Sequence, residues 1–133
     1  MKVLFVCSGN AHRSPLAEAL LKKLRPDVEV DSAGLRVAIP ISEEVRDYLS
    51  RQNAAQFLKK FPERLADKTR LKDYDLIVGM QQRHKVAVLN MCPECANRII
   101  VWNIEDPYFM SPEDAEKIHM QIEEKVKELA SSL

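Results

Sequence analysis

The chain of 133 residues predicts a single α/β domain in three layers, a four-stranded parallel twisted sheet with helices on both faces. Three observations lead there. The length, with 46% hydrophobic and 30% charged residues, fits one globular domain able to close one core. Short apolar runs alternate with segments of helical apolar spacing, which implies right-handed crossovers between parallel strands. No internal repeat, low-complexity tract or linker divides the chain, so residues 1–133 are expected to form one domain.

Lys2-Val3-Leu4-Phe5-Val6 is a continuous apolar run, suited to a strand buried on both faces. Ser14-Pro15 reads as a helix start with Pro at the first helical position; Leu16, Ala19, Leu20 and Leu24 follow at helical spacing, and Pro26 ends the helix near Arg25. Val28–Asp31 is a second strand, closed by Ser32-Ala33-Gly34. Pro40 and Ser42 precede a helix with Val45, Tyr48 and Leu49 on one face. From Asn53 to Lys72 the pattern is irregular and predicts one or two short helices. Tyr74–Met80 is an interior strand, Arg83–Asn90 a short helix and Arg98–Trp102 a fourth strand ending in a core tryptophan. Ser111-Pro112-Glu113-Asp114 opens a last helix, with a hydroxyl cap and acids in its first turn. Its stripe is Ala115, Ile118, Ile122, Val126 and Leu129.

Charge narrows the function. Twenty basic residues balance twenty acidic ones, without the basic excess of a nucleic-acid or anionic-membrane binder. No apolar stretch approaches the roughly 20 residues of a membrane span. The run Val3–Cys7 is too short for a signal peptide, so a cytoplasmic protein is expected. Three cysteines, Cys7, Cys92 and Cys95, speak against a disulfide framework.

In such folds ligands bind beyond the carboxyl ends of the strands. The loop after the first strand reads Cys7-Ser8-Gly9-Asn10-Ala11-His12-Arg13-Ser14, directly before a helix. Such a loop can wrap a tetrahedral oxyanion, with backbone N–H groups pointing inward and the helix N-terminus adding partial positive charge. Gly9 permits tight or left-handed geometry, and Asn10 is one of the few other residues that tolerates it. Arg13 can fork onto two phosphate oxygens. The same field should populate the Cys7 thiolate near neutrality, with the Ser14 hydroxyl donating to the sulfur. The plainer reading makes Cys7 a buried strand end and Arg13 a solvated charge; the strand-to-helix setting, with Gly9 and Asn10 inside the loop, favours the functional one.

The segment Cys7–Pro15 resembles the phosphate-binding loop of the low-molecular-weight protein tyrosine phosphatases, Cys-x-Gly-Asn-x-Cys-Arg-Ser-Pro. Asp31-Ser32-Ala33-Gly34 is similar to the family's Ser-Ala-Gly turn, Tyr74–Met80 to its third strand and Ile104-Glu105-Asp106-Pro107-Tyr108 to its aspartate-proline-tyrosine loop. The resemblance implies strand order 2-1-3-4. It implies Cys7 as nucleophile, Arg13 as phosphate clamp, Ser14 as support, and Ser8, Gly9, Asn10, Ala11, His12 and Arg13 as the cradle. Asp106 would be general acid, then general base, and Tyr108 would line the slot for an aromatic ring. Alone, Asp106-Pro107 reads as a turn before the last helix; beside the Cys7–Arg13 loop it takes the catalytic role. The expected reaction is hydrolysis of phosphotyrosine-type monoesters through a phosphocysteine, on a phosphoprotein or small aryl phosphate. Inorganic phosphate would be product and inhibitor. No metal or cofactor is required, because the loop supplies the positive charge, and a monomer is expected.

The chain departs from the pattern at His12, where the family usually has a second loop cysteine that can pair with the nucleophile. His12 is expected to point its side chain away from the phosphate. Ala66-Asp67-Lys68-Thr69 departs from the basic sequence usual before the third strand. Cys92-Pro93-Glu94-Cys95 carries the alternative, a thiol-dependent arsenate reductase of the same fold, with Cys7 attacking arsenate and Cys92 and Cys95 as redox relay. The pair is spaced too closely for that family, and Met80 stands where a relay cysteine is usual. As a zinc knuckle the pair lacks two ligands; a regulatory disulfide and a buried structural pair both stay open. A non-catalytic phosphate- or phosphopeptide-binding module would not need both Cys7 and Asp106. His84 and His119 are expected at the surface or core edge rather than as ligands.

Overall fold

The computed structural model describes residues 1–133. Four strands, β1 (Lys2–Cys7), β2 (Glu29–Gly34), β3 (Leu76–Gly79) and β4 (Ile99–Val101), form one all-parallel sheet in the order β2-β1-β3-β4. The helices are α1 (Arg13–Leu24), α2 (Glu43–Arg51), α3 (Gln82–Met91) and α4 (Pro112–Ser132). None is long and apolar enough to cross a membrane.

Strand periodicity divides the core. Val3, Phe5 and Cys7 of β1 face a larger cluster with Leu16 and Leu20 of α1, Val45 and Leu49 of α2, and Ile122 and Val126 of α4. Leu4 and Val6 face the opposite way, onto Ile77, Val88, Ile99, Leu71, Cys92 and Cys95. The sheet is therefore the middle of three layers. The stripe expected in the last helix is buried along its whole length, and Trp102 packs on Phe5 with ring centroids 5.4 Å apart.

Several boundaries move for physical reasons. Helix α1 begins at Arg13, so Pro15 is its third residue rather than its first; its missing N–H is still one that the first turn leaves free. Strand β2 continues through Ser32-Ala33-Gly34, which pair with Phe5, Val6 and Cys7. A Cβ on Gly34 would lie 2.5 Å from the Asn10 nitrogen, so only glycine lets β2 pass against the loop after β1. Strands β3 and β4 are shorter than their apolar runs. The expected helices between Asn53 and Lys72 are instead isolated single turns, Ala55–Phe57, Leu65–Asp67 and Leu71–Asp73, too short to build a helical face.

Candidate active site

The segments that follow β1, β2 and β4 converge on a cleft of about 310 Å³, bordered by Cys7, Ser8, Gly9, Ala11, His12, Arg13, Asp106 and Tyr108, with Arg36, Ala38 and Ile39 completing its wall. β1 ends at Cys7 and α1 starts at Arg13, so both functional side chains flank one tight loop. Within it Asn10 alone takes the left-handed conformation, with φ of 51°. Of the two loop residues able to adopt it, Gly9 has no positive φ and Asn10 takes the left-handed position.

Asn10 is fully buried and does not line the cleft; its side chain ties the loop to the layer beneath. Its Nδ2 donates to Ser14 Oγ (2.8 Å) and Ser32 Oγ (2.9 Å), while its Oδ1 accepts from Lys59 Nζ (2.9 Å) and the Glu63 backbone N–H (2.8 Å). Ser14 Oγ lies 2.8 Å from Cys7 Sγ. Because that oxygen already accepts from Asn10, its own hydrogen is free for the sulfur. Ser32 Oγ in turn donates to the buried Glu18 carboxylate at 2.5 Å.

Arg13 is 2% exposed, not a solvated charge. One guanidinium nitrogen donates to Gln81 Oε1 (2.7 Å) and the Ile104 carbonyl (2.8 Å); the other lies 3.3 Å from Ser8 Oγ and 3.7 Å from Asp106 Oδ2. Burial pushes its pKa down from the ordinary value, opposed by attraction to Cys7 and Asp106. Its close acceptors are neutral, so they aim the fork without cancelling its charge. Asp106 is held by its own turn, Oδ1 accepting the Tyr108 N–H at 3.0 Å, and both side chains are exposed at the mouth. The rings of Tyr108 and Phe109 meet edge to face, with centroids 4.7 Å apart.

Neighbours that the sequence reading missed complete the site. Ser8 Oγ also receives Arg83 at 2.7 Å and stands 3.0 Å from His84 Nε2. His84 and His119 are 0% and 2% exposed, deeper than the surface or core-edge positions expected for them. The Gln81 N–H donates to His84 Nδ1 at 2.9 Å, so the His84 proton sits on Nε2 and points at Ser8. Gln81, Arg83 and His84 follow β3, and the rule that singled out the loop after β1 would have found them. His12 turns its ring onto His119, with facing Nε2 atoms 2.6 Å apart. Burial and then the neighbouring His119 push the His12 pKa down to about 4.

Cys92 and Cys95 form a disulfide, both nearly or fully buried, so a single local bond exists where no disulfide framework was expected. They belong to the core cluster on the face of the sheet opposite Cys7, which withholds the geometry a redox relay would need.

The profile of the "Low molecular weight phosphotyrosine protein phosphatase" family matches residues 2–133. The low molecular weight protein-tyrosine-phosphatase Wzb of Salmonella typhi is 31% identical over 144 residues, covering 99% of this chain and 93% of the relative. The low molecular weight protein tyrosine phosphatase of T. tengcongensis superposes with a TM-score of 0.88 at 29% identity, covering 100% and 99% of the two chains. Vibrio vulnificus Wzb in complex with benzylphosphonate gives 0.85 at 28% identity, covering 99% and 98%. These relatives do not favour a reductase. With its sheet order, its cysteine-to-arginine loop and this match along almost its full length, the chain belongs to the low molecular weight phosphotyrosine protein phosphatase family.

Proposed function

We propose that the protein hydrolyses phosphotyrosine-type monoesters in two steps. The Cys7 thiolate attacks phosphorus in line, while Arg13 and the loop N–H groups hold the equatorial oxygens. Asp106 protonates the leaving oxygen as the P–O bond breaks, leaving a phosphocysteine. The ionised Asp106 then takes a proton from water as that water attacks phosphorus, and phosphate leaves from the Cys7 sulfur. Ser8, Gly9, Asn10, Ala11 and His12 supply the cradle, Asn10 and His12 through their backbones, and Tyr108 offers its ring at the mouth.

The observation that carries this reading is the convergence of Cys7, Arg13 and Asp106 on one cleft, with Asp106 Oδ2 3.7 Å from the guanidinium. The benzylphosphonate complex of the Vibrio relative supports a substrate that joins a phosphoryl group to an aromatic ring. A phosphoprotein or a small aryl phosphate fits, with inorganic phosphate as product and competitive inhibitor.

Quenching turnover of a ³²P-labelled aryl phosphate in chelator tests the scheme. Label should be trapped on Cys7, and Cys7→Ser should lose turnover while retaining phosphate binding. A panel of phosphotyrosine, phosphoserine, phosphoarginine and arsenate ranks the substrates. Turnover without a labelled cysteine, or activity lost in chelator and restored by a divalent ion, would overturn the scheme.

A further inference from the structure

His12 and His119 are 107 residues apart in sequence, yet their rings meet edge to edge, with Nε2 atoms facing each other at 2.6 Å and centroids 4.8 Å apart. Only one proton can lie between two such nitrogens. Whichever ring carries it, His119 Nδ1 is left buried with no hydrogen-bond partner. A ligand nitrogen from each ring and a carboxylate oxygen of Glu44 lie within 4.8 Å of one another. A cleft of about 300 Å³ leads from solvent to His119, lined also by Glu44, Asp47, Arg51, Pro112 and Glu116. Three carboxylates against one guanidinium make it an approach for a cation.

We propose that His12, His119 and Glu44 form a binding site for one divalent transition-metal ion of the zinc type, beside the phosphate loop and outside its chemistry. Two imidazole nitrogens and a carboxylate are a donor set that suits Zn²⁺, with water in the fourth position. At Zn–N distances of about 2.0–2.1 Å, tetrahedral donors stand roughly 3.4 Å apart. The two nitrogens must therefore separate by less than about 1 Å, while the exposed Glu44 side chain turns inward. With Nε2 on the metal, the His119 proton moves to Nδ1, which faces Glu116 Oε1 at 3.6 Å. Arg51 anchors that carboxylate through contacts of 2.7 and 2.8 Å. A carboxylate behind a metal-bound histidine is the usual orienting partner, and it gives the otherwise orphaned nitrogen a role.

Inhibition of turnover is no test, because a reactive cysteine thiolate takes up zinc itself. The probe is Co²⁺ titrated into Cys7→Ser protein with the Cys92–Cys95 disulfide intact, followed by visible absorption and displaced by Zn²⁺. One equivalent should bind with tetrahedral nitrogen-and-oxygen bands and no sulfur charge-transfer band. Glu44→Gln, at an exposed position, should weaken binding at least about tenfold without unfolding the protein. In the Cys7 background the same substitution should leave metal-free phosphatase turnover unchanged. His12→Asn should abolish saturable uptake. No saturable uptake in the parent protein, a sulfur charge-transfer band, or affinity in Glu44→Gln or His12→Asn equal to the parent's would overturn the proposal.

Discussion

Asn10 Nδ2 donates to Ser14 Oγ at 2.8 Å, and this one bond decides what Ser14 does for Cys7. With its acceptor site occupied, the hydroxyl turns its hydrogen toward a sulfur 2.8 Å away. Ser14→Ala should therefore lose a charge-assisted hydrogen bond, worth about 1.5–3 kcal/mol, to the thiolate. The expected result is a fall in kcat of roughly 10- to 100-fold with phosphate inhibition retained. Asn10→Gly keeps the left-handed backbone while removing the donor, and should fall in the same direction. Steady-state kinetics on an aryl phosphate checks both; an unchanged kcat in Ser14→Ala would remove Ser14 from this role.

Asp106→Asn separates proton donation from loop structure, because the amide oxygen can still accept the Tyr108 N–H that now meets Oδ1 at 3.0 Å. Aryl phosphates with a basic leaving group should slow by about 10²–10⁴-fold. Those whose leaving group is already acidic need little help and should slow far less. Equal slowing across a leaving-group series would take Asp106 out of the acid role.

The local parts of the site were legible in the sequence, and the tertiary parts were not. Cys7, Arg13 and Ser14 sit within one strand-loop-helix unit, where an apolar run and a helix start fix their relative positions. Asp106 and Tyr108 were reached through resemblance, since a short Asp-Pro turn carries little signal alone. Lys59 was invisible: it lies between single turns with no periodicity, and its link to the site runs through the distant Asn10 and Ser32. His84 and His119 were misplaced because helical spacing does not show when a polar residue is buried against a partner from another element. Asn10 drew attention for its backbone, yet its side chain does as much, holding the loop through four hydrogen bonds.

Lys59 is the test of that invisible layer. Its side chain is 8% exposed, and its ammonium meets Asn10 Oδ1 and the Ser32 carbonyl, each at 2.9 Å, and Glu63 at 2.8 Å, with Glu18 3.9 Å away. Lys59→Met removes the charge and leaves the Glu18 carboxylate to Lys22 and Ser32. Breaking a buried pair costs about 3–5 kcal/mol, and the surviving partners should hold the loss to about 2–3 kcal/mol. Urea denaturation should show that loss together with a lower kcat, because the same ammonium holds Asn10 in place. Wild-type stability in Lys59→Met would mean the network is not coupled to the fold.

The pH dependence of stability should carry the mark of His84. Its Nδ1 accepts from the Gln81 N–H and its Nε2–H points at Ser8 Oγ, so the neutral ring suits its surroundings. Burial first, then the positive charges of Arg13 and Arg83, push its pKa down to about 4, with Asp106 opposing weakly. The unfolded chain takes up that proton near pH 6.5. Between roughly pH 6.5 and 4 the unfolded state therefore binds more protons, so this contribution is complete above 6.5 and is lost as the pH falls through the window. Below about pH 4 both states are protonated and the slope from His84 ends. His12 and His119 are also shifted down, so the wild-type curve sums all three and the informative quantity is a difference between proteins. His84→Gln keeps a donor for Ser8 but cannot titrate, and should flatten the curve by up to about 1.4 kcal/mol per pH unit in mid-window. Urea midpoints from pH 4 to 7 measure it; parallel curves for the two proteins would show that His84 titrates alike folded and unfolded.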